Sequence, residues 1–361
     1  MVKVLFNLEM EYHYNSLFPL LLELKKDPTY EIKLRTGKDP GKFLGIFYLS
    51  QRKKMIEKYH RSGYQLTDET AGFDLVIAGD ALSDPDKYQG ACFFNLDYGV
   101  GIKTSRIRNI VKQINYRYHV ILEGDFWYDY IRSLNWADKA NFHLTGMPKL
   151  DPLFWNDHYD LNKIRAAMKL DLSRKTILFA PSYKPSCIEF LQDKILNLVP
   201  DYNLIIKLHP YSWKGRYAPH SHHRFYEKIT RKFPGVYLIS QEIFDIYPFL
   251  LISDTLISDT SSVINEYLAL GKFGIIYELP HYKKKHSDGM DILAIDPKQW
   301  FINAFPHISD PAELKDAVEA ALNPSATMLE KHHQYRKYFF TGLDGKASQR
   351  VKKIIDSIFK D

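Results

Sequence analysis

The chain has 361 residues, enough for about two domains, each with a hydrophobic core of its own. Apolar residues make up 45% and charged residues 25%, which excludes a disordered, collagen-like or coiled-coil chain, and two isolated cysteines exclude a disulfide scaffold. A net charge of +6 fits an anionic partner such as a phosphorylated metabolite or an anionic membrane face, and is too small to argue for nucleic acid without a motif.

From the N-terminus, Val2–Leu8 reads as a buried strand and no signal peptide is expected before it. Ser16–Lys26 reads as a helix, with Leu17, Leu20, Leu21 and Leu24 on one face. Tyr30–Arg35, Asp74–Ala78, Ala91–Asn95, Val120–Glu123 and Phe142–Thr145 come next as strands. Gly146 to Pro152 carries Gly and Pro punctuation and reads as a linker. A second series of strands then runs through Thr176–Ala180, Leu204–Leu208, Val236–Ser240, Thr255–Ser258 and Phe273–Tyr277, with helical stretches at Ile188–Leu198 and Ser262–Leu270. Ala326–Lys360 is helical, broken at Gly342–Gly345. The rhythm predicts an α/β protein of two doubly wound, mainly parallel domains, 1–150 and 151–340, with 341–361 a C-terminal helix packing back on the first. The longest apolar stretches, Leu17–Leu24 and Phe249–Ile252, fall short of the ~20 residues of a membrane span, so a cytoplasmic protein is expected, with the inner membrane face as a possible contact.

Ligands of such folds sit beyond the carboxyl ends of the strands, so the residues after each strand carry the chemical expectations. After Leu256-Ile257-Ser258 comes the hydroxyl-rich turn Asp259-Thr260-Ser261-Ser262 at a helix start, an anion site whose even competitor is an ordinary helix cap. The strand ending in Lys207-Leu208-His209-Pro210 delivers a cation and an imidazole to one side, for a phosphate and its proton or hydrogen bond. Pro181-Ser182-Tyr183 would let a nucleotide approach the backbone. Glu9, Glu11 and His13 lie after the first strand, where acid–base work competes with a solvated loop. Asn95 to Lys103 is Gly-rich but has neither the dinucleotide fingerprint nor the P-loop spacing. Lys103, Arg106, Arg108, Lys112 and Arg117 interleave with Ile107, Ile110, Val111 and Ile114. Those cations suit an anionic acceptor or lipid, although a core helix with a solvated basic face is the commoner reading. Tyr282 to His286 is a second basic cluster, and His220, His222 and His223 read as a surface loop rather than a metal site.

Four pieces occurring in order resemble the CDP-glycerol glycerophosphotransferase family of teichoic-acid polymerases and primases: Ile177 to Pro181, Lys207 to Pro210, Asp254 to Val263 and Gly345 to Val351. Tyr12-His13, Gly99 to Lys103 and Gly146 to Asp151 extend the resemblance into the first half. The resemblance implies a GT-B fold of two Rossmann-like domains facing a cleft, with the nucleotide mainly on the second. It implies transfer of a polyol phosphate from a CDP-activated donor to a hydroxyl of a glycan or lipid-linked acceptor. Lys207, Thr260, Ser261 and Ser262 would hold the diphosphate, Pro181, Ser182 and Tyr183 the nucleotide, and His209 would be catalytic. Lys103, Arg106 and Arg108 would face the acceptor or the membrane. No DxD-type cluster is present, so no metal ligand is expected, and the magnesium dependence stays open. The chain departs from the family at one point: Tyr98 precedes Gly99 where family members carry the His that is the expected base. Asp97 is the first candidate to replace it and His13 the second. A GT-B glycosyltransferase with a UDP- or CMP-sugar donor, and a non-catalytic nucleotide- or glycan-binding module, are the alternatives.

Overall fold

The computed structural model describes residues 1–9, 11–37, 51–113, 117–183, 185–213, 222–280 and 285–360. The side chain of Glu11, Ile114, His220 and residues 282–284 of the second basic cluster lie outside the described residues. The chain divides into two units. The first comprises Met1–Val100, Thr104–Trp155 and Tyr338–Asp361, and the second Gly101–Lys103 and Asn156–Lys337.

The first unit is built on seven strands: β1 (Val2–Leu8), β2 (Tyr30–Thr36), β3 (Gln65–Leu66), β4 (Leu75–Ala78), β5 (Cys92–Asn95), β6 (Tyr118–Leu122) and β7 (Asn141–Leu144). All pair in parallel in the order β3-β2-β1-β4-β5-β6-β7. Every residue of β4, β5 and β6 is buried, as expected of parallel strands covered on both faces. The first helix begins earlier than its leucine spacing predicts, at Glu11, and runs to Lys25 with Leu17, Leu20, Leu21 and Leu24 buried.

The second unit has six strands: β8 (Thr176–Phe179), β9 (Asn203–Ile206), β10 (Val236–Leu238), β11 (Thr255–Ser258), β12 (Gly274–Tyr277) and β13 (His307–Ile308). They too are parallel, in the order β10-β9-β8-β11-β12-β13. Ile177, Phe179, Leu204, Ile206, Ile257 and Ile275 join Tyr226 and Val318 in one buried cluster. Each fully buried aliphatic side chain contributes about 1.5–3 kcal/mol. Each sheet reverses its strand order once, between β1 and β4 and between β8 and β11. Such switch points open a crevice at the carboxyl ends of the strands.

The Gly- and Pro-marked segment is not a linker. Pro148–Phe154 forms a 3-10 helix inside the first unit, and Pro148, Leu150, Asp151, Pro152 and Leu153 are buried. The Asp151 carboxylate accepts from the backbone N–H of Ala347 (2.9 Å) and of Ser348 (2.8 Å), and from the Ser348 hydroxyl (2.6 Å). It thereby caps the helix Ala347–Phe359 from a distant part of the chain. The Arg350 guanidinium of that helix donates to the carbonyls of Thr145 and Gly342. Gly342 sits at φ +58°, and a Cβ there would lie 2.2 Å from Arg350 Nη2, so a side chain would strain the turn and push the guanidinium out of place. Replacing Asp151 by alanine is expected to destabilise the protein by about 2–3 kcal/mol, because buried helix-start donors lose their acceptor. A denaturant midpoint unchanged in that variant would show that the cap carries no stability.

Candidate active site

Both switch points gather polar side chains, and each gathering lies within one unit. In the second unit the loops after β8, β9 and β11 contribute. Asp259, fully buried just after β11, accepts from the backbone N–H of Ser182 (2.9 Å) and of Cys187 (2.8 Å). One carboxylate therefore fixes the loop after β8 to the end of β11. Burial pushes its carboxyl up, and those N–H donors pull it back. The Ser182 hydroxyl donates to the Pro185 carbonyl and Ser182 O accepts from Ser186, so the serine expected to meet a nucleotide is largely committed to its own loop. Ser262 precedes the helix Val263–Ala269 but its side chain makes no capping bond, which leaves the competing reading of an ordinary cap unrealised there. Thr260 is buried, and Ser261 and Ser262 are half-buried beside it.

Lys207 comes directly after β9 and is only 6% exposed. No ion pair forms at its ammonium group among the described residues. The carboxylate that acts on it, Asp245, is held by the Tyr159 hydroxyl and the Tyr247 N–H. Burial lowers the Lys207 pKa to about 8, with Asp245 opposing. A buried cation without a counter-charge is costly unless an anion arrives. His209, two residues on, is half-buried, with the Tyr183 ring 4.5 Å away and the Tyr211 ring 5.3 Å away. Lys103 belongs to this site and not to a basic helix face. Residues Gly101–Lys103 fold with the second unit: Ala294 N–H donates to Ile102 O (2.8 Å), Lys103 bridges to Leu293, and a Cβ on Gly101 would lie 3.4 Å from Ser262 Cβ. The exposed Lys103 ammonium adds to the positive field on His209.

In the first unit the switch point gathers Glu9 and His13 after β1, Gly79 and Asp80 after β4, and Tyr98 after β5. His13 is buried and stacks on Tyr98 with ring centroids 5.4 Å apart. A Cβ on Gly79 would lie 3.4 Å from His13 Cγ, so the backbone approaches the ring closely there. Burial lowers the His13 pKa to about 4. Asp80, absent from the sequence-based candidates, is raised to about 6 by burial, by Asp97 and by Glu9. Its place two residues after a strand end at the switch point was the available signal.

Asp97 is not placed to act as a base. Its Oδ1 accepts from Tyr98 N–H (2.6 Å) and Gly99 N–H (3.2 Å), and its Oδ2 lies 2.7 Å from Arg106 Nε. Its φ of +52° places it in the left-handed region, held there by these bonds. Arg106 Nη1 also binds both oxygens of Glu123 (2.7 and 2.8 Å), and its guanidinium lies 4.9 Å from the Trp127 ring. All three charged side chains are buried. Burial pushes both carboxyls up and the shared guanidinium opposes it. Arg106 is therefore the centre of a buried ion cluster and not a surface cation facing lipid. Ile107 and Ile110 are buried on the same short helix, Ser105–Val111, and Arg108 is half-exposed.

Among the described residues no cluster of three or more His, Cys, Asp or Glu side chains could hold a metal, and no helix is long and apolar enough to cross a membrane. Cys92 and Cys187 are buried free thiols.

The family model for CDP-glycerol:poly(glycerophosphate) glycerophosphotransferase matches residues 99–357. The chain belongs to this family. Its members similar to the chain include the teichoic acid ribitol-phosphate primase of Bacillus spizizenii, 25% identical over 93% of this chain and 85% of the primase. The teichoic acid poly(ribitol-phosphate) polymerase of the same organism is 26% identical over 60% of this chain, a match that spans only 33% of the polymerase. The wall teichoic acid polymerase TagF, in a structure from a crystal soaked with CDPG, superposes with a TM-score of 0.67 at 18% identity, covering 99% of this chain and 89% of that one. That likeness concerns the fold, two Rossmann-like units of the GT-B type. The family match takes in Lys103, Lys207, His209 and Thr260 to Ser262, and leaves out Glu9, His13 and Asp80.

Proposed function

We propose that this chain transfers a polyol phosphate, ribitol or glycerol phosphate, from a CDP-activated donor to a hydroxyl of a growing wall polymer. The observation that carries the reading is Lys207, a buried lysine that forms no ion pair among the described residues and whose charge acts on His209 after the same strand. The acceptor oxygen bonds to the β-phosphorus, the bond from that phosphorus to the bridging oxygen breaks, and CMP leaves with the electron pair. The acceptor proton passes to a base. Because phosphoryl transfer develops charge on oxygen, positioned cations and hydrogen-bond donors are the main catalytic need. Lys207, Lys103, Thr260, Ser261 and Ser262 hold the donor phosphates, and Pro181, Ser182 and Tyr183 line the nucleotide. Asp97 is committed to Arg106, so the first unit's candidates for a base are His13 and Asp80. The acceptor is a glycan or its lipid-linked form, and work at the inner membrane face, with Arg108 on the acceptor side, is the finer form of the proposal. The relatives' names, a primase and a polymerase of ribitol phosphate, support the donor class.

The test is product analysis with CDP-ribitol, CDP-glycerol and a UDP-sugar on a teichoic-acid oligomer. CMP release with a new phosphodiester is the expected result. UDP release with a glycosidic product would replace the proposal with sugar transfer, the reading that Tyr98 in place of the family His favours.

A further inference from the structure

His209 is held by its own chain. The imidazole caps the 3-10 turn Pro210–Ser212, and Tyr211 N–H donates to Nδ1 over 3.1 Å. Pro210 has no N–H, so Tyr211 supplies the first donor after the histidine. A ring nitrogen that accepts an N–H bond carries a lone pair and no proton, so the single proton of the neutral ring sits on Nε2. No partner of Nε2 occurs among the described residues. A second proton on the ring would break the bond to Tyr211. The surroundings oppose it as well: Lys207 acts from the end of β9 and Lys103 from the segment that pairs with Leu293. The Tyr183 and Tyr211 rings pack against the imidazole and against each other, and no carboxylate acts on it among the described residues. Burial and the two ammonium groups lower the His209 pKa to about 3.

We propose that His209 serves the donor as a permanently neutral Nε2–H hydrogen-bond donor, and that the nucleoside monophosphate leaves without taking a proton from it. The role rests on the phosphate-transfer reading above. The bond that breaks is between phosphorus and the bridging oxygen, and its electron pair goes to a phosphate oxygen. That oxygen is weakly basic, since the second phosphate pKa is about 6, so cleavage needs charge stabilisation more than proton transfer. Lys103 and Lys207 supply the charge. A neutral donor adds direction without a third repelling cation. The acceptor's proton goes to a base other than His209, so proton removal and leaving-group stabilisation fall to different groups.

The experiment is histidine-nitrogen NMR on the intact chain labelled in its imidazoles, with His209 assigned by comparison with His209→Gln. The expected signals are an unprotonated Nδ1 and a protonated Nε2, unchanged from about pH 5 to about pH 9, with and without CMP. A protonated ring or an Nδ1–H form in that range overturns the proposal. In turnover, His209→Gln, whose amide can donate from near the Nε2 position, is expected to stay within about tenfold of the parent, and His209→Ala to lose on the order of 10²–10³ in kcat. A Gln variant as inactive as Ala, together with an acid-requiring limb of the parent's pH profile that the Gln variant lacks, overturns it too. Absence of CMP release from every CDP-polyol overturns the transfer reading and the donor role with it, while the NMR signals still decide the tautomer.

Discussion

Replacing Arg106 by methionine is expected to destabilise the protein by about 3–5 kcal/mol, far more than the loss of a solvent-exposed cation would. The substitution removes the partner shared by Asp97 and Glu123, both buried. It also forfeits the ring contact with Trp127. The raised carboxyls set the sign of the pH dependence. Burial already holds Asp97 and Glu123 above their ordinary range, and loss of the guanidinium raises them further. The folded variant then binds more protons than the unfolded chain, so its stability falls as pH rises above about 4 and recovers below it. Urea midpoints across that range check both parts. Adding Glu123→Gln to the variant should return part of the loss. A stability within about 1 kcal/mol of the parent, on the order of an exposed ion pair's worth, would mean the cluster is not buried in solution.

Lys207→Met is expected to move activity and stability in opposite directions. Removing one charge-stabilising group from a phosphoryl-transfer site costs on the order of 10²–10³ in kcat. The same change relieves a buried lysine that forms no ion pair among the described residues, so the melting temperature should rise. The linkage gives a second signature. The folded pKa of about 8 lies below the ordinary lysine value, so between about 8 and 10.5 the unfolded chain binds more protons and parental stability rises with pH. The methionine variant should lack that rise. Full turnover by Lys207→Met would remove the residue from the donor site, and a fall in melting temperature would show that the ammonium has a partner in the resting protein.

The parts of the fold that could be read from the sequence are those with long apolar runs. Val2–Leu8, Thr176–Phe179 and Thr255–Ser258 are continuous β-rich segments because parallel strands bury both faces. β3 and β13 have two residues each, too few to carry a period. Gly146 to Pro152 misled because Gly and Pro punctuate a buried 3-10 helix as readily as a linker. At the site, Lys207, His209 and Ser261–Ser262 stand out because they lie just beyond the carboxyl ends of strands. Asp80 occupies the same kind of position without belonging to any motif. Arg106 was misread for a physical reason. Helical spacing reports which face a residue occupies, while its partner Glu123 lies 17 residues on, after the next strand. Long-range pairing of charges leaves no local pattern. Likewise, nothing in the run Gly99-Val100-Gly101-Ile102-Lys103 marks three of its residues as folding with the other unit.

The chain's route also dictates an order of assembly during synthesis. Residues 156–337 lie together in one unit, which can close as soon as they have left the ribosome, needing from upstream only Gly101–Lys103. The first unit cannot. Its Asp151 is made 196 residues before Ala347, the first backbone partner of its carboxylate. Until the helix Ala347–Phe359 arrives, the nascent first half carries an unpaired carboxylate and uncovered faces on the helix Glu11–Lys25 and the 3-10 helix Pro148–Phe154, a window in which chaperones and proteases meet it. The half of the protein translated first is thus the half completed last.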